Sequence, residues 1–259
     1  MAKEIMYDQN SILIVAILFV LILVAEEGGY RLGKYHQGKT DVDVKAHTNT
    51  IQAGMLGLLA LILGFTFNMS LQRYNGRSEA VIQEANAIST ALMHTRLLPQ
   101  PFDSLTHRQL QQYVDLRLAL SNTDYANVTE QKALTKETKN LQREIWMNAV
   151  NAARLDPRPV TTGYFLSALN TMISAYGERN ARLQLHVPEV ILFMLFIVFI
   201  ASGALMGYAS GLGRKRTFIP SAMMSFLISL VVFIIIDLDR PNRGIIKVNQ
   251  ESMRQLKTE

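Results

Sequence analysis

The 259-residue chain contains no cysteine, which excludes disulfides, thiolate metal sites, zinc ribbons and cysteine nucleophiles together. Charge is scarce too: 18% of residues are Asp, Glu, Lys or Arg against 49% hydrophobic ones, and the mean hydropathy of +0.14 exceeds what a soluble enzyme of this size needs. The 15 glycines and 7 prolines show no period, which excludes a fibrous chain, and the apolar content excludes a disordered one. There is no strand-like alternation of useful length, no internal repeat and no low-complexity segment. Nucleophile elbow, phosphate-cradling glycine loop, His-Glu-x-x-His helix and paired Asp boxes are all missing, so no enzyme activity is expected. His36, His47, His94, His107 and His186 have no ligand spacing among themselves, and neither a metal nor a cofactor is expected. The net charge of +5 comes from basic residues that are scattered or sit beside apolar runs. That pattern reads as charge at a membrane surface and not as a nucleic-acid footprint.

What the chain does contain is long apolar runs. Ile12 to Ala25 is the first and shortest; without an Ala-x-Ala site after it and with little basic charge before it, it reads as a retained span and not a cleaved leader. Ala53 to Met69 is the second, broken only by Thr66 and Asn68. Val190 to Tyr208 and Phe218 to Ile236 each reach the roughly 20 residues that a hydrocarbon core demands. Pro188 and Pro220 stand near the starts of these two, where a missing N–H costs nothing.

Between the second and third spans the composition turns polar while apolar residues keep helical spacing. Tyr74, Val81, Ala85, Ile88 and Leu92 step by seven, four, three and four, so the second span is expected to continue unbroken to about Leu98. Leu98-Pro99-Gln100-Pro101 stops it, and Ser104 or Thr106 is the expected cap of a helix carrying Leu110, Tyr113, Val114 and Arg117, with a turn at Asn122 to Tyr125. A longer helix holds Leu134, Leu141, Ile145, Trp146 and Val150 and ends at Asp156-Pro157. A last one holds Tyr164, Leu166, Leu169, Ile173 and Tyr176 and leads towards Pro188.

The expected class is therefore all-α: a polytopic membrane protein with four transmembrane helices and a helical bundle between the second and third spans, two bundle helices being continuous with spans. The division is residues 1–71 for the first helix pair, 72–187 for the extramembrane bundle and 188–259 for the second pair with a short tail. Even span number puts the N-terminus, the bundle and the C-terminus on one side. Arg31, Lys34, Lys39, Lys45 and Arg214-Lys215-Arg216 pull the short loops inside, whereas Arg240, Arg243, Lys247, Arg254 and Lys257 pull the opposite way, so charge leaves the orientation open.

Gly203, Gly207 and Gly211 form one small-residue stripe on the third span, with Ser202 and Ser210 alongside; Gly57 and Gly64 do the same on the second. Such stripes pack helices closely, within one chain or between subunits. Polar groups gather where the second and fourth spans meet the bundle side: Thr66, Asn68, Ser70, Arg73 and Arg77 on one, Asp237, Asp239 and Arg240 on the other. One reading is an interfacial network pairing Asp237 or Asp239 with Arg73 or Arg77. The other is a pore mouth in which Arg73 and Arg77 attract anions, Thr66 and Asn68 line the path, and Phe65 and Phe67 form an apolar constriction. Glu26 and Glu27, at the far end of the first span, are expected to pair with the Arg214–Arg216 loop.

The stretch from Gly57 through Phe65-Thr66-Phe67-Asn68-Met69-Ser70, then Arg73-Tyr74, Arg77, Glu84-Ala85-Asn86-Ala87-Ile88 and Leu97-Leu98-Pro99, resembles the bestrophin-like domain family of bacterial four-span membrane proteins. Arg179 and Arg182, Gly207-Tyr208 and the closing run from Asp237-Leu238-Asp239-Arg240-Pro241 to Gln250 are similar to that family's ending, so the resemblance covers residues 50 to 256. It implies kinship with bestrophins, pentameric anion channels with four spans per subunit, a helical cytoplasmic region and an apolar neck on the second span. The Arg-Trp-rich opening motif and the acidic calcium clasp of bestrophins have no counterpart here, so neither anion selectivity nor calcium gating is carried over residue by residue. The expectation is a homo-oligomeric ion channel, for small anions, in the inner cell membrane, with the lipid bilayer as its constant partner. The alternative is a membrane sensor or scaffold acting through a partner protein that binds the bundle.

Overall fold

The computed structural model describes residues 9–38, 42–123, 127–213, 218–241 and 244–257. Met6, Tyr7, Lys39, the Arg214–Arg216 loop, Arg243 and part of the turn expected at Asn122 to Tyr125 lie outside the described residues. Within them every regular element is helical: α1 (Ser11–His36), α2 (Val42–His94), α3 (Phe102–Asn122), α4 (Val128–Leu155), α5 (Tyr164–Leu183), α6 (Glu189–Leu212), α7 (Phe218–Asp239) and the short α8 (Glu251–Gln255). Four of these, α1, α2, α6 and α7, have stretches long and apolar enough to cross a membrane. The chain is an all-α polytopic membrane protein.

The residues form two compact units. One lies within Met1–Gln72 and His186–Arg240; the other lies within Arg73–Leu185 and Pro241–Glu259, so the tail after the last span clusters with the helical unit. α2 is a single helix of 53 residues, as its uninterrupted apolar spacing and lack of proline require, and it ends in a 3-10 turn, Thr95–Leu97.

In the first unit α1, α2, α6 and α7 each contribute to one apolar core: Leu18 and Ile22, Leu59, Leu195 and Phe199, and Ile228, Val232 and Ile236. α1 runs well beyond its apolar stretch because it continues as the partner of α6. Gly203, Gly207 and Gly211 lie against Ile22, Glu26 and Tyr30 with Gly33, which makes α1 and α6 parallel neighbours at backbone contact. The α6 stripe is thus filled from within the chain. By contrast Gly57 and Gly64 have nothing within 4 Å of the place a Cβ would take.

In the second unit α2, α3, α4 and α5 pack around Ile88, Leu110, Tyr113, Ile145, Phe165 and Met172. Full burial of each such side chain stabilises by about 1.5–3 kcal/mol. Met253 and Leu256 of the tail enter the same core, and Lys257 pairs with Asp115 at 2.6 Å.

Three local expectations are corrected. The cap of α3 is neither Ser104 nor Thr106: the helix starts at Phe102, and Thr106 is buried with its hydroxyl bonded back to the Phe102 carbonyl. Trp146 lies off the buried stripe of α4, which runs through Thr138, Leu141, Gln142, Ile145 and Ala149. Finally, α5 does not continue into the third span. It stops at Leu183, and α6 begins at Glu189 behind Pro188, which disfavours helical backbone at Val187; the Val187 N–H donates to the Asp239 carboxylate at 3.1 and 3.0 Å. The other stop was legible. Asp156 accepts from Arg158 at 2.7 and 2.9 Å and from Thr161 at 2.7 Å, bonds that hold its carboxyl well below the usual range and fix the turn between α4 and α5.

Candidate functional site

α2 carries the residues singled out for a pore. Along its apolar length Ile51, Gly54, Leu58, Leu61, Phe65 and Asn68 are all exposed and step by three, four, three, four and three. That 3.5-residue period draws one continuous stripe along the helix, drifting by about 20° every seven residues. Only 11% of the apolar stretch of α2 is buried, against 22% in α1, 33% in α6 and 39% in α7, so α2 is the least covered span. Phe65 is 67% exposed, Phe67 and Asn68 are exposed, and Thr66 is turned inward with its hydroxyl on the Ile62 carbonyl.

The two arginines that follow differ. Arg77 is 2% exposed; its Nη2 donates to the Leu185 carbonyl at 2.7 Å and its Nε to the Arg182 carbonyl at 3.4 Å, so the guanidinium neutralises the negative end of α5. Arg182 answers by donating to the Gly76 carbonyl at 3.3 Å, an approach that a side chain at Gly76 would obstruct. Arg73 is half-buried and its Nε has no hydrogen-bond partner among the described residues. At the end of α7, Asp237, Asp239 and Arg240 are all buried; Asp239 holds Val187, and Arg240 donates to the Gln9 carbonyl and to Ser11 Oγ at 3.0 Å, fastening the start of α1.

Sequence reasoning missed a second constellation, inside the helical unit. Glu84 of α2 is fully buried and accepts from Arg117 Nε and Nη2 of α3 at 2.7 and 2.8 Å, from Arg179 Nη1 of α5 at 2.7 Å and from the Tyr113 hydroxyl at 3.1 Å. Gln142 of α4 donates to Tyr113 at 3.1 Å, the Arg117 guanidinium lies 4.7 Å from the centre of the Tyr176 ring, and Arg179 Nη2 reaches Gln250 of the tail at 2.9 Å. Burial pushes the Glu84 carboxyl up, but Arg117 and Arg179 outweigh it and hold the group below the usual carboxylate range. Burial and the Glu84 charge together push the Tyr113 hydroxyl well up, so it stays protonated and donates. A signal was present: Glu84 and Arg117 interrupt apolar helical faces at positions where Val81, Ala85, Tyr113 and Val114 are buried. The bonds to Glu84 tie α2, α3 and α5 to one carboxylate, with α4 and the tail one residue further out.

Four apolar helices, one of them leaving an exposed stripe, define a multi-pass membrane protein. The Bestrophin-like domain model matches residues 19–253, and the chain belongs to that family. No curated protein and no solved structure matches it.

Proposed function

We propose that the protein is a homo-oligomeric channel for small anions in the inner cell membrane, with α2 lining the path. The observation that carries this reading is the uncovered stripe on α2: α1, α6 and α7 bury more of their apolar length, while the Ile51-to-Asn68 line stays open. In a ring of copies that line faces the axis or the neighbour, and the open Gly54, Gly57 and Gly64 allow close approach. Phe65 then narrows the path, Asn68 offers a polar contact, and Arg73, whose Nε has no hydrogen-bond partner among the described residues, supplies the positive field that draws an anion in. Arg77, committed to the end of α5, positions the helix and does not meet the ion.

Halide flux into liposomes holding the purified protein is expected to exceed that of empty liposomes. Arg73→Glu reverses a charge at the mouth and is expected to cut the flux by about ten-fold, the lower end of what a local field does to ion supply. Wild-type flux in a folded, inserted Arg73→Glu protein would remove Arg73 from the path.

One observation favours a second reading, a sensor or scaffold working through a partner. A groove of about 600 Å³ runs between α2 and α5 in the helical unit, lined by polar side chains such as Asn86, Thr90, His94, Ser167 and Thr171. A flat flux trace from inserted wild-type protein would move the function there.

A further inference from the structure

The outer face of α4 separates its charges by sign. Lys132, Lys136, Lys139 and Arg143 fall within about 60° of arc at 100° per residue, and Glu130, Glu137 and Glu144 fall within about 40°, centred roughly 130° away. All seven are exposed. Among the described residues the four cations, Glu137 and Glu144 enter no ion pair, and Glu130 is engaged only with its own cap, Asn127. Three like-charge neighbours at i,i+3 or i,i+4 follow one another along the basic stripe, each destabilising the helix on its own. No Glu stands at i−4 to relieve them. A helix written this way loses stability on its own surface unless counter-charge arrives from outside.

The surroundings suit a protein partner. The basic stripe lies in a depression of about 710 Å³ that Gln131, Thr135 and Asn140 also line. Exposed Val128 stands at one end of it and exposed Trp146 and Met147 at the other, while exposed Leu155 extends the acidic side. Trp, Met and Arg are the residues that interfaces enrich. The chain's single tryptophan is therefore spent on the surface of a helix that does not qualify as a membrane span. Both stripes also share one repeat: 130, 137 and 144 step by seven, as do 132 to 139 and 136 to 143. Acids and bases thus recur every 10.5 Å or so along α4 and match in pitch.

We propose that the outer face of α4 is an interface between copies of this chain, the basic stripe of one copy lying against the acidic stripe of the next. Where each stripe meets a different neighbour the contact is heterologous, and it makes a ring when its rotation closes. The proposal rests on the homo-oligomer part of the channel reading and names where that oligomer is held.

The test uses the full chain in detergent, with its mass measured at low and high salt. Lys136→Glu/Lys139→Glu and Glu137→Lys/Glu144→Lys are each expected to shift the wild-type oligomer to single chains while circular dichroism keeps its helical signal. Co-expressed under two tags, the two variants are expected to purify together as an oligomer, since each contact between unlike variants again pairs opposite signs. A wild-type oligomer whose mass neither variant changes would overturn the α4 interface and leave the oligomer standing. A wild-type protein of single-chain mass would overturn both. Loss of tripolyphosphate binding in the lysine variant, with unchanged oligomer mass, would assign the stripe to a soluble polyanion instead.

Discussion

Gly207→Leu is expected to abolish the folded first unit, and Gly207→Ala to damage it severely. A Cβ at Gly207 falls on the Glu26 carbonyl, with the Glu26 Cα only 2.9 Å away. The obstacle is backbone, which no rotamer change can clear. The same holds for three more glycines of the seam: Gly211 falls on the Tyr30 carbonyl, and Gly29 and Gly33 of α1 fall on those of Ala204 and Tyr208, while Gly203 is tight, with the Ile22 carbonyl at 3.0 Å. Five glycines from two helices therefore set one interhelical distance, and a side chain at Gly29, Gly33, Gly207 or Gly211 forces α1 and α6 apart. Ordinary overpacking costs about 1–3 kcal/mol; separating two whole helices exceeds that, and for a chain of this size 3 kcal/mol lowers the melting temperature by on the order of 10 °C. Gly57→Leu is the control, because its Cβ meets nothing within 4 Å. It is expected to melt like wild type and to change assembly or flux. Equal melting of the Gly207 and Gly57 variants in detergent would dismiss the seam as a stability determinant.

That contrast shows how far the sequence could be read. The glycine spacing on α6 announced close packing, but not the partner, because Glu26-Glu27-Gly28-Gly29 reads as the end of a span. The helix continues since Glu27 pairs with Arg31 at 2.9 Å and Gly29 and Gly33 pack on α6. Span number, all-α class and the unbroken α2 follow from apolar runs and proline positions, which act locally. Pro188 signalled a stop before α6, but the tie that holds the segment between α5 and α6, Asp239 on the Val187 N–H, lies 52 residues away and left no local sign. Arg73 and Arg77 are alike as letters, and only packing against the end of α5 separates the half-buried one from the buried one. The cluster on Glu84 lay hidden for the same reason: its arginines are 33 and 95 residues away, and no local spacing links them.

Glu84→Ala is expected to destabilise the helical unit by about 3–5 kcal/mol, the cost of stripping a buried charge of its partner. Here two guanidiniums lose their counter-charge at once, and Arg179 Nε already lacks a hydrogen-bond partner among the described residues. Tyr113 would lose its acceptor as well. Glu84→Gln keeps the volume but not the charge, so it separates packing from electrostatics and is expected to lose most of the same stability. Acid should mimic it. The folded carboxyl titrates below its unfolded value, so its contribution is complete above the ordinary carboxylate range and is lost as pH falls through that range to the depressed folded value. Wild type is therefore expected to lose stability on acidification with a steeper limb than Glu84→Gln, measured as melting temperature against pH. Replacing all three charges, Glu84→Met with Arg117→Met and Arg179→Met, is expected to recover much of what the single change loses, since no charge is left in the cluster and Gln142 still bonds Tyr113. A Glu84→Gln protein with the wild-type melting temperature and acid limb would show that the arginines find other partners, and that the carboxylate does not hold the helices together.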